Sequence, residues 1–166
     1  DGQEVGTRVA SVSRALALVG EGDLNLLRQR LFKATVDGSM VDPSARPPWS
    51  GPFAVLEGPA EHLVMRCDFA ETEGITSDAC EALKRFHNAC EQVAVSYPLR
   101  PGEMIVTCNE QSVHGRERFE PKFDGKDRWL VRFFLARSVP AQLARSSRAP
   151  NSYLIEPSYE QYDDAV

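Results

Sequence analysis

Three histidines and four cysteines are all the imidazoles and thiols in this 166-residue sequence, and no two cysteines are spaced as Cys-x-x-Cys. Cys67, Cys80, Cys90 and Cys108 therefore do not read as a zinc site, and Cys80 and Cys90 fall in a segment that reads as helix. Small buried thiols in a reducing cytoplasm are the expected state. Basic runs are missing too. Lys plus Arg number 19 against 24 Asp plus Glu, a formal charge of -5, so the electrostatic footprint of a nucleic-acid binder is absent. No apolar stretch approaches the roughly eighteen residues needed to cross a bilayer, and no membrane partner is expected. Asp1-Gly2-Gln3-Glu4 has neither the basic start nor the apolar stretch of a signal peptide, and no initiator Met precedes it. The expectation is a processed chain or a fragment. Internal repeats and heptads are also lacking.

What is present is an ordinary globular composition, 42% apolar and 26% charged, with enough length for one domain and a sizeable core. Residues 8–19 are rich in Ala, Leu and Val and predict a short helix, with Ser11 or Ser13 as cap. Asp23 is placed to cap a second helix through about Leu31, with Leu24, Leu27 and Leu31 on one face. The pattern turns to strand over Phe32–Val36. Four prolines and Gly51 mark 43–52 as loop. Phe53–Leu56 and Leu63–Asp68 read as two strands around Gly58-Pro59. The clearest helix spans about Asp78–Val95, where Thr76-Ser77-Asp78 supplies cap candidates and Asp78 with Glu81 fits a capping-box variant. Its apolar stripe runs through Cys80, Leu83, Phe86 or His87, Cys90 and Val93, and Pro98 ends it. A turn at Arg100–Glu103 then leads to a β-rich run, Met104–Cys108. Short strands follow at Val113-His114 and at the strongly apolar Trp129–Leu135. From about Ser138 the chain is polar and rich in Pro and Ser, although Tyr153-Leu154-Ile155 could dock. Strands on both sides of one long helix make an α+β chain, or a β-sandwich with helical insertions.

Candidate functional residues concentrate in Asn109–Arg132, NEQSVHGRERFEPKFDGKDRWLVR. A His followed by Gly and Arg is weak by itself. The longer string is specific: His114-Gly115-Arg116, then Phe119-x-Pro121, then Asp124-Gly125-x-Asp127-Arg128-Trp129-Leu130-x-Arg132. It resembles the C-terminal signature HGRxxFxPRFDGxDRWLxR of the clavaminate synthase-like iron(II)/2-oxoglutarate-dependent oxygenases, the branch holding arginine and asparagine β-hydroxylases. Lys122 stands where that pattern has Arg.

The resemblance implies roles. His114 would be the distal histidine of the His-x-Asp/Glu…His iron site, a facial triad that leaves positions open for the oxo-acid and oxygen. Arg128 would bind the 5-carboxylate of 2-oxoglutarate, a task suited to a planar fork of donors. Arg132 would pair with the substrate α-carboxylate, and if Arg128–Arg132 is a strand the two guanidinium groups share one face. A surface ion pair is the competing reading for each arginine. Thr7, in Gly6-Thr7-Arg8-Val9-Ala10-Ser11, would contribute its hydroxyl to the 5-carboxylate; it could equally cap a helix over 8–19. Asp68 would meet the polar end of the substrate side chain, against the alternative of an exposed acidic loop with Glu71 and Glu73. Arg116 belongs to the motif with supporting contacts as its expected role. His87 reads as structural and His62 as solvent-exposed.

None of the three histidines has an acidic residue two positions on, so the sequence lacks the first two iron ligands. The family places them upstream of the Thr7-like position. The expectation is a C-terminal part of a double-stranded β-helix (jelly roll), mainly β with helical insertions, over residues 1–137, and a polar tail over 138–166. The rest of the fold would come from a missing N-terminal segment. The implied cofactors are Fe(II) and 2-oxoglutarate, and the substrate an L-amino acid, free or carrier-tethered. Hydroxylation at the β-carbon of arginine, an arginine derivative or asparagine is the implied reaction. Two other readings stay open: a non-catalytic jelly-roll module that binds carboxylates, and one subunit of a split oxygenase.

Overall fold

The computed structural model describes residues 5–35, 49–125, 127, 129–133, 135, 144–145 and 153–154. The chain opens with β1 (Thr7–Ser11), α1 (Val12–Leu16), α2 (Glu21–Leu27) and β2 (Phe32–Thr35). Next come β3 (Trp49–Phe53), β4 (Leu56–Glu57), a 3-10 turn at Ala60–His62, β5 (Val64–Met65) and β6 (Thr72–Gly74). The long helix α3 (Ser77–Val93) leads to β7 (Val95–Tyr97) and β8 (Ser112–Arg116), and a short ladder joins β9 (Ala144–Arg145) to β10 (Tyr153–Leu154).

β1 is the centre of the sheet that matters most. It pairs antiparallel with β7 on one side and β8 on the other. A second sheet has the order β3-β2-β6, and β4 and β5 form a two-stranded ladder. The helix expected over 8–19 is therefore corrected: its first residues are strand and only Val12–Leu16 is helical. Apolar composition fitted both states, and pairing on two sides decided for strand. Ser11 does cap the helical remainder, accepting from the Arg14 N–H. Asp23, by contrast, is not a cap, because α2 starts two residues earlier behind Gly20. Its carboxylate instead takes a two-pronged ion pair from Arg85 of α3, at 2.7 and 2.9 Å, tying the two helices. That pair holds the Asp23 carboxyl below its ordinary range.

α3 forms where the spacing predicts it, and of the three cap candidates Thr76 supplies the cap by accepting the Ala79 N–H at 3.2 Å. Its buried stripe is Ala79, Ala82, Leu83, Phe86, Ala89 and Cys90, recurring at three and four residues. Cys80 and His87 fall outside it and are exposed. Exposure of Cys80 and Cys108 also corrects the expectation of four buried thiols; Cys90 alone is buried and Cys67 partly so. Phe32, Phe86, Leu27, Leu56 and Val55 are the largest fully buried side chains of the core. They join α1, α2 and α3 to the inner faces of the strands.

Two expected strands do not form. Met104–Cys108 has no ladder, and neither do residues 129–133 and 135. In the latter, Trp129, Phe133 and Leu135 are 90%, 80% and 90% exposed. Strand propensity needs a neighbour's hydrogen bonds before it becomes a strand. Phe53–Leu56 and Leu63–Asp68 likewise shrink to the end of β3, β4 and β5, and residues 49–52 are strand where a loop was expected. Among the described residues no helix is long and apolar enough to cross a membrane.

Candidate functional site

Side chains alternate faces along a strand, so the register of β1 sorts its neighbours into two sets. Ala10 is opposite Val113, and both pack with the core beneath. Arg8 shares that face, and its guanidinium reaches Glu91 of α3. Thr7, Val9 and Ser11 point the other way. Opposite them stand Arg116, His114 and Ser112 of β8, while Tyr97 and Val95 of β7 face Thr7 and Val9. One open face of a three-stranded sheet thus carries Thr7, His114 and Arg116. Thr7 and His114 are diagonal neighbours across the ladder, a spacing of about 7–8 Å in antiparallel pairs. Thr7 is a strand residue, which rules out the helix-cap alternative.

The Thr7 end of this ladder is closed by two further contacts. Gly6 N–H donates to Glu117 Oε2 at 2.9 Å, and Glu117 N–H donates to the Gly6 carbonyl at 3.2 Å. Arg116 lays its guanidinium over the Phe119 ring, 4.3 Å from the centroid, so its motif position has a packing partner. Beside the face, a cavity of about 360 Å³ is lined by Val9, Ser11, Val93, Val95, Val106 and Cys108, among others. It adjoins the His114 side of the sheet without being lined by His114 or Thr7, and its walls are mostly apolar.

Asp68 lies elsewhere, exposed in the loop between β5 and β6. Its carboxylate accepts the Ala70 N–H at 2.9 Å, and its carbonyl accepts the Glu71 and Thr72 N–H groups. The loop is anchored to α3 by Phe69, whose ring stacks on His87 at 4.4 Å and meets Phe86 at 5.6 Å. Next door, burial pushes the Cys67 thiol up to about 12, so it stays protonated at neutral pH and offers neither a nucleophile nor a ready metal ligand. His62 is exposed, as its turn-like context implied. Arg132 is exposed outside any strand. Arg128 lies outside the described residues, as does nearly all of the tail. What the sequence left unassigned is Asp127. Both its carboxylate oxygens accept from Lys122 N–H, at 3.1 and 3.0 Å, and Oδ2 also accepts from Phe123 N–H at 2.7 Å. Phe123 (φ 52°) and Gly125 (φ 77°) take left-handed conformations in that turn. An Asp-Gly-x-Asp string is the signal that could have marked it, since Asp side chains fold turns by bonding nearby backbone.

Thr7 and His114 are therefore brought together on one face, whereas Asp68 lies in a separate loop and Arg132 is exposed outside any strand. As a metal site the set is incomplete. Among the described residues no three of His, Cys, Asp and Glu converge, and one imidazole does not hold iron(II) usefully.

No protein-family model matches the chain. Individual relatives do. An L-asparagine oxygenase of Streptomyces coelicolor is 33% identical over 150 residues, covering 90% of this chain and 44% of that protein. Clavaminate synthase 2 of Streptomyces clavuligerus is 29% identical over 159 residues, 91% of this chain and 46% of the enzyme. Among solved structures, an asparagine oxygenase in complex with Fe(II), (2S,3S)-3-hydroxyasparagine and succinate superposes with a TM-score of 0.69. That match is 34% identical and covers 75% of this chain and 38% of the enzyme. In sequence and fold the chain is a relative of iron oxygenases. More narrowly, its kinship is with the clavaminate synthase-like amino-acid oxygenases, over most of its own length. It spans less than half the length of the relatives it matches.

Proposed function

We propose that the protein containing this chain is an iron(II)/2-oxoglutarate-dependent oxygenase. Its reaction is hydroxylation of an unactivated carbon, the β-carbon, of an L-amino acid such as asparagine, arginine or an arginine derivative, in specialised-metabolite biosynthesis in the cytoplasm. The observation that carries the reading is the shared open face of β1 and β8. Thr7 and His114, matched to the family by separate motifs more than a hundred residues apart, become diagonal neighbours there.

In this reading the chain is the C-terminal part of one jelly-roll domain with a tail from 138, and an upstream segment supplies His-x-Asp/Glu. The open face would then turn inward, and exposed apolar residues such as Val95, Val106 and Met104 would meet that segment. Iron and the oxo-acid supply the oxidation. The chain's own residues bind and orient: His114 offers one ring nitrogen, Arg128 a bidentate donor pair, and Thr7 a hydroxyl for the far carboxylate. Arg132 and Asp68 would hold the two ends of the amino acid, so that one C–H bond is presented for reaction.

The test is anaerobic titration of the full-length protein with iron(II) and 2-oxoglutarate. A weak visible charge-transfer band is expected, shifting when the correct amino acid is added and lost in His114→Ala. Absence of the band at saturating iron and oxo-acid would refute the assignment. That outcome would select the rival reading, a non-catalytic carboxylate-binding module.

A further inference from the structure

We infer that Glu117 is a positioning residue for oxo-acid binding, its carboxylate clamping the Gly6 N–H so that Thr7 stays in register with His114. This rests on the roles proposed for Thr7 and His114. The geometry singles the clamp out. Thr7 is the first residue of β1, at one end of the ladder, and is opposite Arg116, the last residue of β8. Strand ends fray unless something beyond them is fastened. Here the fastening is a reciprocal pair one step past the ladder. Glu117 N–H donates to the Gly6 carbonyl at 3.2 Å, and Gly6 N–H donates back to the Glu117 carboxylate at 2.9 Å.

The backbone bond alone would continue the ladder by half a rung. The side-chain bond completes it with a charged acceptor, stronger than a neutral one. Gly6 is itself buried, and a Cβ there would come within 1.8 Å of Ser96 Oγ and 2.9 Å of Glu117 Oε2. The three strands close tightly around this one residue, immediately before Thr7. A slip of one residue would turn Thr7 to the core face and Arg8 to the open one. The clamp thus acts on chemistry through register, without touching substrate.

The test compares Glu117→Ala and Glu117→Gln in the full-length protein, measuring 2-oxoglutarate affinity from the charge-transfer band well below the melting temperature. Losing a charge-assisted bond at the strand end should weaken oxo-acid binding about ten-fold in Glu117→Ala while the KM for the amino acid holds. Glu117→Gln keeps an oxygen acceptor for the Gly6 N–H and should restore most of the affinity. If Glu117→Ala does not accumulate folded, Glu117→Asp, one methylene too short for the Gly6 N–H in this register, takes its place with the same expected loss. Oxo-acid affinity equal to wild type in the shortened variants overturns the clamp, as does a Glu117→Gln variant as weak as Glu117→Ala. A wild-type protein with no band overturns the oxygenase reading first, and the clamp with it.

Discussion

Removing the Phe86 ring should loosen α3 from the sheet it backs without altering the open face on the other side. Phe86 is 0% exposed, at the middle of the α3 stripe, and its ring meets Phe69 at 5.6 Å. A buried phenylalanine hides about 150–250 Å². At about 25 cal/mol per Å² that is roughly 5 kcal/mol as an upper value. A denatured chain that already hides some of this area brings the figure nearer 3–4 kcal/mol, and the cavity left behind adds to it. Phe86→Ala should therefore cost about 4 kcal/mol, a large part of the 5–15 kcal/mol available to a typical domain. Phe86→Leu, which keeps most of the volume, should cost less than about 1.5 kcal/mol. Urea unfolding of the full-length protein measures both. With slopes of about 1–3 kcal/mol/M, the alanine variant should lose at least about 1.3 M in midpoint. Because the helix packs on the Ala10 and Val113 side of β1, oxo-acid affinity measured on folded protein should match wild type. A loss under about 2 kcal/mol for alanine, or a leucine variant as unstable as the alanine one, would refute this account of the core.

Arg128→Ala should raise the 2-oxoglutarate requirement strongly and leave iron binding intact; unchanged oxo-acid saturation would remove Arg128 from that role. Asp68→Asn should alter which amino acids are accepted while preserving its turn, since an amide oxygen still accepts the Ala70 N–H. An unchanged substrate profile would make Asp68 a loop residue and nothing more. The Asp23–Arg85 pair gives a pH signature. Because the folded-state carboxyl titrates below its ordinary value of 3.8, its stabilising effect is present above that pH and lost as pH falls through the lower folded value. Asp23→Asn should thus be less stable than wild type at neutral pH, with the gap closing in strong acid. A gap that persists there would show that the pairing is not electrostatic.

α3 was legible because its stripe is long and periodic, and β2 and the short strand holding His114 also fell where their patterns placed them. Residues 8–19 misled because Val9, Ala10 and their neighbours suit helix or strand, and the choice was made by β7 and β8, far away in sequence. Asp23 looked like a cap since local pattern cannot show that Arg85, sixty-two residues on, offers its carboxylate a better use. The site divides the same way. A long motif marked His114, Arg128 and Arg132 as candidates, and of these the sheet around β1 holds His114. That Thr7 sits diagonal to His114 was not legible, because that adjacency exists only once β1 and β8 pair. Glu117 and Asp127 carried no separate signal: an acidic residue inside a charged motif reads as solvated surface until its backbone partners are visible.

The central place of β1 also has a consequence for biosynthesis. Thr7 emerges from the ribosome more than a hundred residues before Arg116, its partner across the ladder, and some ninety before Tyr97. At about 5–20 residues per second, that leaves β1 without either neighbour for several seconds. Such distant pairings close slowly even after synthesis, since loop-closure entropy must be met first. During that interval both edges of β1 stay unpaired, and Val9 and Ala10 wait for the strands and helix that will cover them.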